Sequence, residues 1–217
     1  MFTATVVKQP TCSEQMLGPV HYLASLTHLE CSCYVLIALN DLLIHLFFAV
    51  LPSEPVRPAI AGLSRTLRCA HHLPGRPIAD DRLHVTLAPL CDPHRSLRDT
   101  IQRAKMLGAG IRYPRFPLSF QWSEGFRHRD ARYPLVLRGA DGVQPLLGFQ
   151  LEIQAQMRRA GFGMAPGFTP HMTLLWTDRC VEANPIAPIG WMVRDFALVL
   201  SLPRQSRHIH LARWQLR

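Results

Sequence analysis

Two short segments of the chain repeat one arrangement of histidine, threonine and leucine. Residues 83–87 read Leu-His-Val-Thr-Leu, and residues 170–174 read Pro-His-Met-Thr-Leu. Side chains alternate between the two faces of a strand, so each segment presents one imidazole and one hydroxyl side by side. An imidazole can act as general base or general acid, and a hydroxyl can donate to a phosphate oxygen in a transition state. Two such strands facing each other predict cleavage or transesterification of a phosphodiester by His84, Thr86, His171 and Thr173.

The pattern from residue 45 onward places these segments in a series of strands and helices. Apolar runs and alternation predict strands over 45–51, 83–90, 112–126, 133–138, 170–176, 191–202 and 208–216. Apolar residues at helical spacing predict helices over 56–69, 92–107 and 143–160. This order is typical of an α+β domain in which antiparallel sheets are covered by helices, and its two halves indicate a duplicated architecture.

Charge separates the first part of the chain from the rest. The 217 residues carry a net charge of +9, and all the lysine and arginine residues except Lys8 and Lys105 are arginines. Residues 1–44 have a net charge of −2, so residues 45–217 have +11. Guanidinium groups bind phosphate well through paired N–H donors, so the basic part favours a polyanionic partner. We therefore predict an atypical extension over 1–44 and one two-lobed domain over 45–217.

Several interpretations of the extension compete. The stretch 33–51 is apolar and long enough to cross a bilayer, but Asn40, Asp41 and His45 interrupt it, so membrane association is not expected. Cys31 and Cys33, with histidines nearby, could meet a zinc ion, although their spacing matches no common site. Six scattered cysteines without a signal peptide predict a reduced, cytoplasmic protein. Loose order remains the simplest interpretation of the extension.

The paired His-x-Thr motifs resemble those of the two-histidine (2H) phosphoesterase superfamily. Within it, the chain looks most like the bacterial 2′-5′ RNA ligase and RNA 2′,3′-cyclic phosphodiesterase branch. His-Leu-Phe-Phe-Ala-Val at 45–50 is similar to the first strand of that family, and 82–87 and 168–174 match its signature strands. The resemblance covers residue 45 to the C-terminus. It implies a bilobal, pseudo-twofold fold with two antiparallel sheets flanked by helices around a central, arginine-lined cleft.

The resemblance also implies an activity. Such enzymes open a terminal 2′,3′-cyclic phosphate to a 2′-phosphate, and some join 2′-5′ RNA ends. By this analogy His84 protonates the leaving 3′-oxygen and His171 activates water. The resemblance calls for no metal and no cofactor, and the sequence contains no P-loop, HExxH motif or aspartate-rich metal cluster.

One position departs from the family pattern. Members often carry an arginine three residues after the second motif's threonine, where this chain has Trp176. Trp176 could instead stack on a base, and Phe48 on the opening strand could either stack on a base or pack in the core. The missing cation could come from a neighbouring strand, for which the candidates are Arg138, Arg207 and His208.

These observations predict a cytoplasmic, monomeric RNA 2′,3′-cyclic phosphodiesterase that acts on RNA ends or small cyclic nucleotides. The alternative is a non-catalytic module on the same fold that holds RNA ends or nucleotides without turning them over.

Overall fold

The structure is a computed structural model. It describes residues 45–90, 92, 94–126, 132–163, 169–202 and 208–217. The predictions made for the extension 1–44, including the zinc site, lie outside these residues. The extent of the predicted domain, 45–217, stays a prediction.

The described residues form eight strands and three α-helices. The strands are β1 (His45–Val50), β2 (Val85–Pro89), β3 (Phe116–Gly125), β4 (Tyr133–Arg138), β5 (His171–Thr177), β6 (Asn184–Val193), β7 (Asp195–Ser201) and β8 (His208–Gln215). The helices are α1 (Arg57–Ala70), α2 (Leu97–Gly110) and α3 (Gln144–Arg159). None of the helices in these ranges is long and apolar enough to cross a membrane. Residues 45–50 of the apolar stretch are strand β1 instead.

The strands make one antiparallel sheet in the order β6-β3-β4-β5-β2-β1-β7-β8. Its two halves of four strands meet where β2 lies beside β5, through one register pair, Val85 with Met172. The predicted α+β arrangement of antiparallel strands and helices is confirmed, but the two expected sheets are halves of a single sheet. The narrow junction between β2 and β5 therefore lies at the centre of the molecule, between the two motifs.

The helices cover one face of this sheet because each presents an apolar stripe to it. In α3 the buried residues Leu146, Phe149, Ile153 and Met157 recur every three or four positions. They join the strand residues Phe48, Val85 and Leu87, and residues of α1 and α2, in the main core. Helix α2 begins at Leu97 and is capped by Ser96, whose hydroxyl accepts the Asp99 N–H at 3.1 Å. The prediction that this helix starts at residue 92 is therefore wrong by several residues.

A smaller apolar cluster lies on the other side of β1 and β7. It consists of Phe47, Ala49, Leu51, Ala197 and Val199. Because side chains alternate along a strand, this cluster faces away from the helices and shares its face with the motif histidines.

The largest difference from the predicted elements is at β6 and β7. The sequence predicts one strand over 191–202, whereas the structure has β6 from Asn184 and a separate β7 from Asp195. Pro185, Pro188 and Gly190 make the first part of β6 look like a loop. Proline is tolerated there because β6 is an edge strand and needs hydrogen bonds on one side only.

Candidate active site

The two motifs lie next to each other at the centre of the sheet. Val85 pairs with Met172 in antiparallel register, so the same register places His84 opposite Thr173 and Thr86 opposite His171. Val85 and Met172 are fully buried, while the four motif side chains are partly exposed on the opposite face. Residues directly opposite each other in adjacent strands have Cβ atoms about 4.5–5.5 Å apart. The face that carries these four side chains is called the histidine face below.

Each motif strand contains a β-bulge directly after its threonine. In β2, Thr86 pairs with Ala49 but Ala88 pairs with Phe48, so Leu87 is the extra residue. The Leu87 carbonyl accepts a hydrogen bond at 3.0 Å from the Nε2 amide group of Gln150, which is buried on α3. A bulge lets the strand bend and re-aims the next side chains.

The bulge in β5 repeats this arrangement. Thr173 pairs with Val136 while Leu175 pairs with Leu135, so Leu174 is the extra residue. The Leu174 carbonyl accepts the backbone N–H of Ile78 at 2.6 Å. The pseudo-twofold relation between the motifs therefore extends to the irregularity behind each one.

Each bulge determines which face of the sheet the side chain three residues after the threonine occupies. In a regular strand that side chain would point away from the histidine face. The extra residue of the bulge turns the side chain back onto the histidine face. The side chains concerned are Pro89 after Thr86 and Trp176 after Thr173, and both are partly exposed. This is why a residue at this spacing from the threonine can take part in the site.

Both motif histidines are oriented by the backbone. His84 Nδ1 lies 2.7 Å from the carbonyl oxygen of Arg82, and His171 Nδ1 lies 2.8 Å from that of Thr169. A carbonyl oxygen can only accept, so Nδ1 carries the proton and donates it in both rings. In each neutral imidazole the lone pair is then on Nε2, the nitrogen left for chemistry.

Aromatic rings hold each imidazole from the side. The Phe47 ring lies 5.0 Å from that of His84, and the Phe126 ring lies 5.1 Å from that of His171. On the His84 side there is a third imidazole, His208, whose ring centre is 4.9 Å from that of His84 in an edge-on arrangement. His208 also contacts Phe47, at 5.7 Å. The site is thus symmetric at its centre and asymmetric in its walls.

Burial holds the site histidines neutral. It lowers the pKa of His84 to about 4, against the opposing effect of the Arg82 carbonyl, and the charges of His171, Arg82 and His210 lower it further. Burial also lowers the pKa of His171. The pKa of His208 is lowered to about 3, first by burial and then by the charge of His84.

Phe48 does not belong to this site, so its proposed stacking on a base is wrong. It is fully buried in the main core, and its ring lies 5.9 Å from that of Phe196 and 6.0 Å from that of Trp214. Its neighbour Phe47 is on the histidine face. Two consecutive phenylalanines point to opposite faces, and the sequence does not show which one faces the histidines.

The structure places Arg138 beside the site but in an ion pair. Arg138 is opposite His171 in the β4–β5 register. Its Nε lies 2.7 Å from Oε1 of Glu124, whose side chain is only 2% exposed, while that of Arg138 is 26% exposed. The sequence analysis did not single out Glu124, because the two residues are brought together only by the β3–β4 pairing. Arg207, the other arginine candidate, lies outside the described residues.

Trp176 lies on the histidine face, on the strand that carries His171 and five residues beyond it. The guanidinium carbon of Arg132 is 5.4 Å from the centre of its ring. A cation at this distance is attracted by the negative face of an indole.

Within the described ranges, no group of three or more histidine, cysteine, aspartate or glutamate residues could hold a metal ion. The two imidazoles and two hydroxyls of the motifs are placed together on this face by the β2–β5 register.

An antiparallel sheet covered by helices on one face, with two twofold-related His-x-Thr pairs on the other, defines a two-histidine phosphoesterase. A family model described as the 2′-5′ RNA ligase superfamily matches residues 52–200, so the chain belongs to that superfamily. The family resemblance stated from the motifs is confirmed, and with it the assignment to an enzyme family of phosphoesterases and RNA ligases.

Solved structures agree with this assignment. The chain is similar to E. coli LigT complexed with 3′-AMP, at 30% identity and a TM-score of 0.57, over 79% of this chain and 97% of that one. For E. coli LigT complexed with NADP+ the identity is 30%, the TM-score 0.60 and the coverage 79% and 96%. A protein of Thermus thermophilus, TT0787, shares the fold, at 22% identity and a TM-score of 0.62, with coverage of 80% and 98%. A search of curated proteins gave no match.

Proposed function

We propose that the protein hydrolyses 2′,3′-cyclic phosphate at RNA ends or on small nucleotides to a 2′-phosphate, without a metal ion. The same residues are proposed to join 2′-5′ RNA ends in the reverse direction. The observation that carries the proposal is the register at Val85 and Met172, which brings two imidazoles and two hydroxyls together on one face. A cytoplasmic location and a monomeric state stay predictions.

The two imidazoles are proposed to transfer one proton each. His171 Nε2 accepts a proton from water as the water oxygen forms a bond to phosphorus. The bond between phosphorus and the 3′-oxygen breaks, and Nε2–H of His84 donates a proton to that oxygen, which leaves a 2′-phosphate monoester. This assignment of acid and base follows the family resemblance. It fits the tautomers, since both Nδ1 atoms are held by carbonyl oxygens.

The threonines are proposed to stabilise the negative charge that develops on the non-bridging phosphate oxygens. Thr86 and Thr173 lie opposite the histidines on the same face, so their hydroxyls can donate to the two non-bridging oxygens. These donors are held by the sheet before substrate arrives, and pre-positioned donors stabilise a transition state without reorganising.

The low pKa of His84 has a consequence for this mechanism. With a pKa of about 4, His84 is almost entirely neutral in the free protein near pH 7. A cyclic phosphate carries one negative charge, and a nearby opposite charge favours the imidazolium form. Substrate binding is therefore proposed to bring a proton onto His84 and so create the acid that the reaction needs.

A non-catalytic module that holds RNA ends or nucleotides is the competing function. Trp176 favours it, because a tryptophan stands on the histidine face where family members often have an arginine. Binding of a cyclic nucleotide that is never consumed would support this alternative.

The test uses adenosine 2′,3′-cyclic phosphate with the purified protein in excess EDTA. We expect conversion to adenosine 2′-phosphate, identified by chromatography against the 2′- and 3′-phosphate standards. H84A and H171A should each lower kcat by at least about 100-fold, the usual contribution of one acid–base group. H94A is the matched control, because His94 is an exposed histidine beyond the end of β2. Unchanged turnover in H84A and H171A would refute the mechanism, and loss of activity in EDTA would show a requirement for metal.

A further inference from the structure

The wall of the site beside His84 differs from the wall beside His171 in its charged groups. Near His84 lies His208, whose ring centre is 4.9 Å from that of His84. The charges of Arg82 and His210 add to the effect of burial in lowering the pKa of both rings. Near His171, the guanidinium of Arg138 is already paired with Glu124. The two halves of the histidine face therefore offer different partners to a ligand.

Two buried nitrogen atoms in the His84 wall have no hydrogen-bond partner among the described residues. They are Arg82 Nε and His208 Nδ1, which are both covered by protein. A buried polar nitrogen without a partner costs about 1–3 kcal/mol, so such groups usually have a reason to exist. Both side chains are still partly exposed, so a ligand on this face can reach them.

The other charges around this wall are accounted for. Arg213 is paired with Asp195, at 2.8 Å from Nε to Oδ1, and Arg57 donates from Nε to the Pro52 carbonyl oxygen at 3.2 Å. Asp81 acts on His210, where it opposes the lowering of the pKa by Arg213 and Arg57. Arg82 makes no ion pair with any described carboxylate, so its charge remains for an anion.

The covalent structure of ribose connects this wall to the reaction. The 3′-oxygen is bonded to C3′, which is next to C4′ and its 5′-substituent, whereas the 2′-oxygen is on the side of C1′ and the base. If His84 protonates the 3′-oxygen, the 5′-substituent extends on the His84 side. The 5′-substituent then approaches Arg82 and His208, whose ring centre is 4.9 Å from that of His84.

We propose that Arg82 and His208 form a second anion subsite, which binds the 5′-phosphate of the nucleotide whose 2′,3′-phosphate is opened. The substrate class is therefore a cyclic phosphate end that carries a 5′-phosphate, as a phosphomonoester or as the phosphodiester of an RNA chain. A cyclic nucleoside phosphate without a 5′-phosphate leaves this subsite empty. This inference rests on the proposed function, because the direction of the ribose follows from the role of His84.

The chemistry of the subsite suits a phosphate. The guanidinium of Arg82 can donate two parallel hydrogen bonds to two phosphate oxygens. His208 is neutral near pH 7 and can donate one N–H, and the approach of an anion favours a second proton on its ring. The subsite lies one ring away from His84, so a ligand can contact both at once.

The experiment measures binding rather than turnover, so that it does not depend on catalysis. Adenosine 3′-phosphate, adenosine 3′,5′-bisphosphate and the dinucleotide ApAp are titrated into the full chain in a calorimeter. We expect the bisphosphate to bind at least about tenfold more tightly than the 3′-phosphate, because charge-assisted hydrogen bonds of this kind contribute an order of magnitude or more. Equal tightening by ApAp assigns the subsite to RNA ends, and tightening by the bisphosphate alone assigns it to free nucleotides.

Substitutions then locate the effect. R82Q and H208Q should each bring the affinity for adenosine 3′,5′-bisphosphate close to that for adenosine 3′-phosphate, so that their ratio approaches one. R82K should retain part of the preference for the bisphosphate. R98Q is the matched control, since Arg98 is an exposed arginine on α2, and it should keep the wild-type ratio. A wild-type ratio near one, or a ratio that R82Q and H208Q leave unchanged, would overturn the subsite. A protein that shows the preference but never opens a cyclic phosphate would instead refute the proposed function and leave the subsite standing.

Discussion

The ion pair between Arg138 and Glu124 gives a sharp test of which arginine serves the substrate. Arg138 is opposite His171 and could be expected to bind phosphate, but its Nε lies 2.7 Å from a glutamate that is 2% exposed. If this pairing neutralises Arg138, then R138Q should act mainly on stability. If Arg138 binds the substrate instead, the same change should act mainly on KM.

The size of the stability effect follows from the burial of the two partners. Removing one member of a buried ion pair costs about 3–5 kcal/mol because the other charge is left uncompensated. R138Q removes the Arg138 partner of the nearly inaccessible Glu124, so we expect a loss of about 3 kcal/mol, at the lower end of this range. E124Q leaves Arg138, which is 26% exposed and can turn to water, so about 1–2 kcal/mol is expected. In a chain of this size each 1 kcal/mol lowers Tm by about 2–4 °C.

The assay combines thermal unfolding with steady-state kinetics on adenosine 2′,3′-cyclic phosphate. R138Q should lower Tm by about 6–12 °C, which corresponds to a loss of about 3 kcal/mol. KM should change by less than about threefold, because a residue held in an ion pair with Glu124 does not bind the substrate. The double variant E124Q/R138Q should recover much of the lost stability, since both charges of the pair are then removed. A tenfold rise in KM with an unchanged Tm would refute the reasoning and identify Arg138 as a phosphate ligand.

Two further predictions concern the protonation of the site and the support of its strands. Because burial lowers the pKa of His84 to about 4 and also lowers that of His171, and one of the two must be protonated, kcat/KM should rise as pH falls from 8 towards 6. The optimum of kcat should lie at a higher pH than that of kcat/KM, because bound phosphate favours the imidazolium form. Initial rates measured between pH 4 and 9 test both expectations. An alkaline optimum for kcat/KM would contradict this assignment of protonation states. Q150M should lower the free energy of unfolding by about 1–3 kcal/mol in urea titrations, because it leaves the Leu87 carbonyl without its 3.0 Å donor. Q154M on the same helix is the control, and equal effects of the two changes would show that the bulge does not depend on Gln150.

The sequence predicts the catalytic residues better than the walls around them. His84, Thr86, His171 and Thr173 could be found because the motif occurs twice and because strand alternation puts each pair on one face. The register that brings the two strands together is a property of the whole sheet, and it rests on one residue pair, Val85 and Met172. No local pattern contains that information.

The residues around the motifs could not be predicted for the same reason. Phe47 and Phe48 are neighbours of one type, and only the pairing of β1 shows which of them faces His84. The bulge at Leu174 turns Trp176 onto the histidine face, although simple alternation from Thr173 would turn it away. Bulges arise where two strands pair with unequal numbers of residues, so one strand's sequence does not reveal them.

The scaffold alone does not determine which histidine is the acid. The motifs, their carbonyl partners and their bulges are related by a pseudo-twofold axis, so either histidine could take either role. The walls break this symmetry, because Arg82 and His208 lie beside His84. Ribose is itself asymmetric, with the base on the side of the 2′-oxygen and the 5′-phosphate on the side of the 3′-oxygen. A substrate that places its 5′-phosphate at Arg82 brings the 3′-oxygen to His84, so this wall assigns the acid through the orientation of the substrate.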